Sequence, residues 1–314
     1  MRRRTAVLLG LVLLGAVVLA AQAWSLGRSA AAAHPAPGAF VEVRGIRLHA
    51  LCTGAGSEIL LIHGNPGSVL TWMDSLLPLL AARHRACAVD RPGHGWSERG
   101  RGEVETVEGQ AHLLRDAARA LGLRRPVLVG HSWGGAAALA YALEFPGDVA
   151  GLVLVAGVAY PDDTGFAEGA GKIALLPVIG PLAAYVVGPF LARPLLDRSL
   201  TLGFTPDPVP PHYRDQVLRL WAHPAALRAI SADNAALSPS LAALQSRYGE
   251  IRAPTAILVG DADRLVDPQR HGLRLRMVIP GAAVTVFRGA GHELHRTRTG
   301  LVAEAILRFR GEVP

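Results

Sequence analysis

Residues 126–135 read PVLVGHSWGG, and the small-residue run Ala136–Ala140 follows them directly. The apolar, β-branched start of this stretch leads into a Gly-x-Ser-x-Gly motif, and the pattern predicts a strand, a sharp turn and a helix. Gly130 and Gly134 have no Cβ, so the backbone can fold back tightly and hold Ser132 in a strained conformation. The stretch therefore predicts a serine hydroxyl exposed at the top of a sheet, rather than a glycine-rich turn with a helix-capping serine.

The composition indicates a globular chain with a full hydrophobic core. Half of the 314 residues are hydrophobic and 5% are aromatic, which argues against disorder. The formal net charge is +7, but Lys172 is the only lysine, so the excess reflects a general richness in arginine. No run of basic residues is interleaved with aromatic residues, and a nucleic-acid partner is therefore not predicted.

The first residues of the chain predict a membrane segment. Residues 2–4 are arginines and precede the uncharged apolar run Thr5–Trp24; about twenty such residues span a bilayer core of about 30 Å. We predict a signal anchor over residues 1–24 and a linker over 25–38, with signal cleavage near Ala30–Ala33 as the alternative. The position of the arginines predicts that the rest of the chain lies outside the cytoplasm, on the periplasmic or extracellular side.

Strands and helices alternate along most of the remaining chain, which predicts a mostly parallel α/β sheet. The predicted strands are Phe40–Val43, Ile46–Leu51, Ile59–Ile62, Ala86–Asp90, the segment before Ser132, Val149–Val158, Pro254–Gly260 and Ala283–Phe287. The predicted helices are Leu70–Arg83, Val107–Leu121, the segment after Ser132, Tyr213–Ala222, Gln269–Met277 and Gly300–Arg310. The alternation stops over 159–249, and this proline-, leucine- and alanine-rich insertion predicts a helical lid between the core segments 39–158 and 250–314.

Five motifs follow one another along the chain. They are HGNPG at 63–67, DRPGHGWS at 90–97, the Gly-x-Ser-x-Gly motif around Ser132, GDAD at 260–263 and GH at 291–292. In this order they resemble the α/β-hydrolase family, in its serine-nucleophile esterase and lipase-like branch, and the resemblance runs from about Phe40 to the C-terminus. It implies a mostly parallel eight-stranded sheet flanked by helices, with an inserted helical lid.

A serine hydroxyl is a poor nucleophile at neutral pH, so it needs a general base that a carboxylate orients. The resemblance implies a catalytic triad in which the acid precedes the histidine in the chain. It assigns Ser132 as the nucleophile, Asp263 as the acid through the family's Gly-x-x-Asp pattern, and His292 as the base. Asp261 is then interpreted as a turn-former and Asp267 as a helix cap.

The resemblance also implies an oxyanion hole made of backbone amides. One belongs to Asn65, in the loop after the third strand, and the other to Trp133, directly after the nucleophile. The Asn65 side chain either points into the pocket or orders a turn. His63, His94 and His131 are interpreted as loop-ordering or packing residues. No cofactor is predicted, and no His-Glu-x-x-His or comparable spacing indicates a metal site.

The identity of the nucleophile separates branches of the family. The loop at 63–66 resembles that of haloalkane dehalogenases and epoxide hydrolases, but those enzymes attack with an aspartate where this chain has Ser132. We therefore predict hydrolysis of a small-molecule ester with an apolar part, through an acyl-enzyme. The alternatives are carbon–carbon bond hydrolysis, a perhydrolase- or haloperoxidase-like reaction with the same triad, and a noncatalytic binding protein, which would not need the triad.

The chain has two cysteines, Cys52 and Cys87. The resemblance implies that their strands are antiparallel neighbours, and export would then favour a disulfide between them. Two buried free thiols are the alternative.

Overall fold

One eight-stranded sheet forms the centre of the computed structural model, which describes residues 35–161, 188–222 and 224–309 together with residues 10, 15, 17 and 18. The strands are β1 Ala39–Val43, β2 Ile46–Thr53, β3 Glu58–Ile62, β4 Arg85–Val89, β5 Val127–His131, β6 Gly151–Val155, β7 Thr255–Gly260 and β8 Ala283–Phe287. Their order across the sheet is β1-β2-β4-β3-β5-β6-β7-β8. Strand β2 is antiparallel to β1 and β4, and the other neighbouring strands are parallel. The predicted eight-stranded, mostly parallel sheet is therefore confirmed.

Helices follow most of the strands. They are α1 Leu70–Met73, α2 Leu76–Ala81, α3 Val107–Ala120, α4 Trp133–Glu144, α5 Gly188–Phe204, α6 Pro211–Trp221, α7 Pro224–Leu244, α8 Arg274–Arg276, α9 Leu294–Thr297 and α10 Thr299–Phe309. The helix predicted over Leu70–Arg83 is divided into α1 and α2, because Pro78 has no N–H to donate to the carbonyl of Asp74. The helix predicted over Gln269–Met277 begins as a π-helix over Gln269–Leu273 and continues as α8.

Side chains alternate between the two faces of the buried strands. On β3, Leu60 and Ile62 join an apolar cluster with α3 and α4, whereas Ile59 and Leu61 join a second cluster with α1, α2 and α10. All four side chains are fully buried. Burial on both faces explains why the central strands are unbroken apolar runs in the sequence.

Between β6 and β7 the chain leaves the sheet and forms α5, α6 and α7, which we call the cap. An apolar cluster that we call the cap cluster joins the cap to Leu70 of α1 and includes Leu200, Phe204, Tyr213, Trp221 and Ile230. The C-terminal half of α7 differs, because Leu241 and Leu244 join the cluster that α3 and α4 form with the sheet. The lid predicted over 159–249 includes residues 162–187, which lie outside the described residues.

The two cysteines face each other across the antiparallel pair of β2 and β4. Cys52 is in register with Cys87, their Cα atoms are 4.0 Å apart, and a disulfide joins them. The alternative of two free thiols is therefore wrong.

The predicted membrane segment over residues 1–24 has to be corrected. Among the described residues, no helix combines the length and the apolar character that crossing a bilayer requires. The longest helix of the described residues is α7, whose 21 residues include Arg228, Asp233 and Asn234. Of the predicted segment itself, positions 10, 15, 17 and 18 are described and helical, and the other positions lie outside the described residues.

Candidate active site

Ser132 lies at the turn between β5 and α4 in a backbone conformation that L-residues rarely adopt, with φ 53° and ψ −121°. A Cβ on Gly130 would lie 2.4 Å from the carbonyl oxygen of Gly134, and a Cβ on Gly134 would lie 2.3 Å from the carbonyl oxygen of Ile62. Glycine is therefore required on both sides of the serine for the turn to close. The turn holds Ser132 at the carboxyl end of β5, as the sequence pattern predicts.

His292 follows β8 and hydrogen-bonds Asp263, which follows β7, with 2.8 Å between Nδ1 and Oδ2. The other carboxylate oxygen of Asp263 accepts hydrogen bonds from the backbone amides of Leu265 at 2.8 Å and Val266 at 2.9 Å. These bonds fix the carboxylate in one orientation. The carboxylate accepts a hydrogen bond from the Nδ1–H group of His292. The Nε2 atom therefore keeps its lone pair and can take up a proton.

Two opposing effects set the protonation of His292. Burial lowers its pKa, but the charge and hydrogen bond of Asp263, together with the charge of Glu293, outweigh burial and raise the pKa above its ordinary value of 6.5. The imidazole is therefore a stronger base than a buried histidine without a carboxylate partner.

The two other aspartates after β7 make different bonds. Asp261 accepts a hydrogen bond from the Gly289 amide at 2.6 Å and so connects the loops that follow β7 and β8. Asp267 accepts one from the Gln269 amide at 2.9 Å, at the start of the π-helix. Of the three carboxylates, that of Asp263 is the one in contact with His292.

The loop at 63–67 lies directly beside Ser132. A Cβ on Gly64 would lie 2.9 Å from the Cβ of Ser132, so the backbone at Gly64 and Asn65 runs against the turn. Among the described residues, no carbonyl accepts a hydrogen bond from the backbone amide of Asn65 or of Trp133. An oxyanion hole requires backbone amides of this kind, without a carbonyl acceptor in the protein.

The Asn65 side chain is directed at the cap. Its Nδ2 donates to the Ile230 carbonyl at 3.0 Å and to Oδ1 of Asn234 at 2.7 Å, both in α7. Its own Oδ1 is buried and has no hydrogen-bond partner among the described residues. The partners lie 165 and 169 residues away in the sequence, and no local pattern indicated them.

His63 and His94 order loops, as the sequence interpretation proposes. The Nε2 atom of His63 accepts from the Arg91 amide at 2.9 Å, while its Nδ1 donates to the Gly64 carbonyl at 2.8 Å. Burial, followed by the charge of Arg91, lowers the pKa of His63 well below its ordinary value, so the ring is neutral. His94 contacts the carboxylate of Asp233 in α7 at 2.9 Å.

His131 packs with two residues that the sequence analysis did not single out. Ligand atoms of His131, Glu293 and His295 lie within 4.8 Å of one another, which is the geometry of a possible metal site. The His131 and His295 rings also pack against each other, with 4.3 Å between their centroids and an interplanar angle of 51°. The His131 ring also lies 4.8 Å from that of His292, so the group supports the position of that histidine.

Comparisons with known proteins identify the fold family. A family model described as the alpha/beta hydrolase fold matches residues 59–299. A 2-hydroxy-6-oxo-2,4-heptadienoate hydrolase of Pseudomonas putida is 30% identical, with 81% of this chain and 89% of that protein covered. A 2-hydroxy-6-oxononadienedioate/2-hydroxy-6-oxononatrienedioate hydrolase of Cupriavidus pinatubonensis is also 30% identical, with 78% and 84% covered. The crystal structure of the enol-lactonase from Burkholderia xenovorans superposes with a TM-score of 0.72 at 20% identity, over 87% of this chain and 100% of that chain.

Proposed function

The chain belongs to the alpha/beta hydrolase fold family, and we propose that it is a serine hydrolase that cleaves a carbon–carbon bond beside a ketone through an acyl-enzyme. The observation that carries the catalytic part is the 2.8 Å bond between Asp263 and His292 at the same end of the sheet as Ser132. The choice of bond rests on the relatives, which are named as hydrolases of 6-oxo-dienoates.

In the first half of the reaction, His292 acts as general base. Its Nε2 takes the proton from Ser132 while Asp263 stabilises the imidazolium through Nδ1. The serine oxygen attacks the ketone carbon, and the carbonyl oxygen becomes an oxyanion facing the amides of Asn65 and Trp133. Each such preorganised donor contributes about 3 kcal/mol of transition-state stabilisation.

The second step breaks the bond between the ketone carbon and its α-carbon. Before this bond breaks, the proton of the substrate's 2-hydroxyl moves to the α-carbon, so that the dienol becomes a 2-keto-3-ene with a tetrahedral α-carbon. The bonding electron pair then leaves with the α-carbon and is delocalised through the 3-ene onto the 2-keto oxygen, which the imidazolium of His292 protonates. Water activated by His292 then attacks the acyl-enzyme. The products are a carboxylic acid, an unsaturated 2-hydroxy acid and free Ser132, so that one water is consumed in total.

The predicted carboxylic ester hydrolysis would proceed by the same chemistry, because an acyl-enzyme forms whether the leaving atom is oxygen or carbon. The named relatives favour the carbon–carbon alternative over the ester. The enol-lactonase neighbour, at 20% identity, supports the fold alone.

The experiment compares both bond types on the purified full chain. The panel contains 2-hydroxy-6-oxo-6-phenylhexa-2,4-dienoate, which is the substrate named for a relative, and p-nitrophenyl esters of increasing acyl length. We expect kcat/KM for the dienoate to exceed that for the best ester by about a hundredfold. Ser132→Ala should lower kcat by about 10⁵-fold on either substrate. A preference for the esters would replace the carbon–carbon assignment with ester hydrolysis.

We also propose that the domain works outside the cytoplasm. The disulfide between Cys52 and Cys87 supports this, because structural disulfides persist in oxidising compartments. Alkylation of the purified protein in denaturant should label neither cysteine until a reductant is added. Labelling of both thiols without reduction would contradict the proposal.

A further inference from the structure

We propose that Asp233, a buried carboxylate on cap helix α7, is a positioning residue that holds the oxyanion hole in its working geometry through Arg91. The inference rests on the proposed function, since it concerns the amides of Asn65 and Trp133. It assigns to the cap a role in the rate of acyl transfer.

Asp233 is the centre of a buried polar network between the cap and the core. One carboxylate oxygen accepts hydrogen bonds from Arg91 at 2.6 Å and from His94 at 2.9 Å, and the other accepts one from Arg99 at 2.7 Å. The side chains of Asp233 and Arg91 are completely buried. A buried pair of this kind is costly to break, because the remaining charge loses its compensation.

Arg91 transmits this constraint to the loop beside Ser132. Its guanidinium donates to the carbonyl of Gly64 at 2.8 Å and to that of His63 at 3.1 Å. The Gly64 carbonyl belongs to the same planar peptide unit as the amide of Asn65, so fixing the oxygen also fixes the direction of the N–H. A hydrogen bond to that oxygen polarises the peptide unit and makes its N–H a better donor.

Trp133, which carries the second amide, contacts Arg91 and the same helix through its side chain. The Arg91 guanidinium lies over the ring of Trp133, 4.1 Å from the centroid, and the indole N–H of Trp133 donates to the backbone carbonyl of Asp233 at 3.2 Å. The side chain of Asn65 also bonds to α7. Both residues that would supply the oxyanion hole are thus connected to one helix of the cap.

The pKa shifts in the network indicate that Asp233 and Arg91 form an ion pair. Burial alone would raise the pKa of Asp233, but Arg91, His94 and Arg99 together hold it well below its ordinary value. Burial and then the charge of Arg91 lower the pKa of His94 to about 4, in spite of its bond to Asp233. At neutral pH the carboxylate is therefore ionised against Arg91 while His94 is neutral.

The test measures the rate at which a fluorophosphonate labels Ser132. This reaction develops charge at the oxyanion position and does not depend on the identity of the substrate. Asp233→Asn keeps the shape of the side chain and removes the charge, and we expect labelling to slow by about 10- to 100-fold. With whichever panel substrate is turned over, kcat should fall by the same factor while KM stays within about threefold.

The matched control is Asp207→Asn. Asp207 is also a carboxylate of the cap region, and it pairs with an arginine of the core, Arg298, at 3.1 Å, but that pair does not touch the loop at 63–67. We expect labelling within about threefold of wild type. Equal losses in both variants would mean that general docking of the cap matters and would overturn the role of Asp233.

A second variant separates positioning from stability. Replacing the buried pair by apolar side chains, Arg91→Met with Asp233→Leu, avoids a lone buried charge but leaves His94, Arg99 and the carbonyl of Gly64 without these partners. We expect a lower free energy of unfolding, and labelling at least about tenfold slower under conditions where urea titration shows the variant fully folded. Wild-type labelling in this double variant would show that the pair is only structural. A wild-type chain that is folded but not labelled at all would instead refute the proposed serine chemistry, and this inference with it.

Discussion

The two sides of the active site are held by different kinds of interaction. On the sheet side, the carboxylate of Asp263 is oriented by backbone amides two and three residues after it, and the turn at Ser132 closes through Gly130 against Gly134, although Gly134 also packs on the carbonyl of Ile62. On the cap side, Asp233 reaches Arg91 across 142 residues of sequence. The comparison teaches that the reacting groups are set by local sequence, whereas the environment that stabilises the charge depends on packing between distant segments.

The largest effect should come from the sheet side. In Asp263→Asn the hydrogen bond to His292 can persist, but the amide favours the wrong tautomer and cannot stabilise the imidazolium. We expect kcat to fall by about 10⁴-fold with little loss of stability. Asp267→Asn is the matched control, since that carboxylate bonds a local amide, and it should retain activity within about threefold. A small effect of Asp263→Asn on kcat would contradict the view that the sheet side of the active site sets the reacting groups.

Removal of the disulfide tests whether stability of the core and activity are separable. Cys52→Ala with Cys87→Ala opens a loop of 35 residues, which should lower the free energy of unfolding by about 3–4 kcal/mol. Urea denaturation measures this loss. Labelling of Ser132 below the unfolding transition should match wild type, because the disulfide lies in β2 and β4, away from the turn. Slower labelling of fully folded protein would contradict this view.

Asn65→Ala tests the contact with the cap, because it removes the side-chain amide of Asn65 and keeps the backbone amide. The variant loses the bonds to Ile230 and Asn234, and we expect kcat to fall by about tenfold with KM unchanged. Asn234→Ala removes one of the same bonds from the other partner. A double-mutant cycle between the two should give a coupling of about 1 kcal/mol; additivity would mean that the contact has no part in catalysis.

The smallest expected effect is a shift in the pH dependence of kcat/KM, which reports the protonation of His292. Because His292 must be neutral to act as a base, kcat/KM should rise with pH through a midpoint above 6.5, the ordinary histidine value. Asp263 is the group that raises this pKa against burial, so the midpoint in Asp263→Asn should move to lower pH. Profiles of kcat/KM between pH 5 and 9 check both statements, and an unchanged midpoint in the variant would remove Asp263 as the cause.

Several elements could be predicted from the sequence because a few consecutive residues determine them. The turn at Ser132 needs small residues at fixed spacing, and the strands read as apolar runs because both faces are buried. The division of the helix predicted over Leu70–Arg83 was missed, although Pro78 is visible in the sequence. The membrane segment over 1–24 was inferred from apolar length alone, and that inference did not hold.

The rest could not be read from one chain. Asp233 is an ordinary aspartate in a helix until the cap folds over Arg91, and His295 and Glu293 gain their neighbours only when the loop after β8 meets β5. The triad does not determine which bond is cleaved, because Ser132 can be acylated with either an oxygen or a carbon leaving group.

The double attachment of α7 has a consequence for building chimeras with related enzymes. Its C-terminal half packs with the sheet and its N-terminal half holds the loop at 63–67, while Ile230 in that N-terminal half also packs with α5 and α6 in the cap cluster. A graft of foreign specificity elements should therefore end in the connection between α6 and α7, near residue 222. Helix α7 then stays with its own Arg91 and Asn65, and a new substrate pocket can be installed without rebuilding the charge-stabilising part of the enzyme.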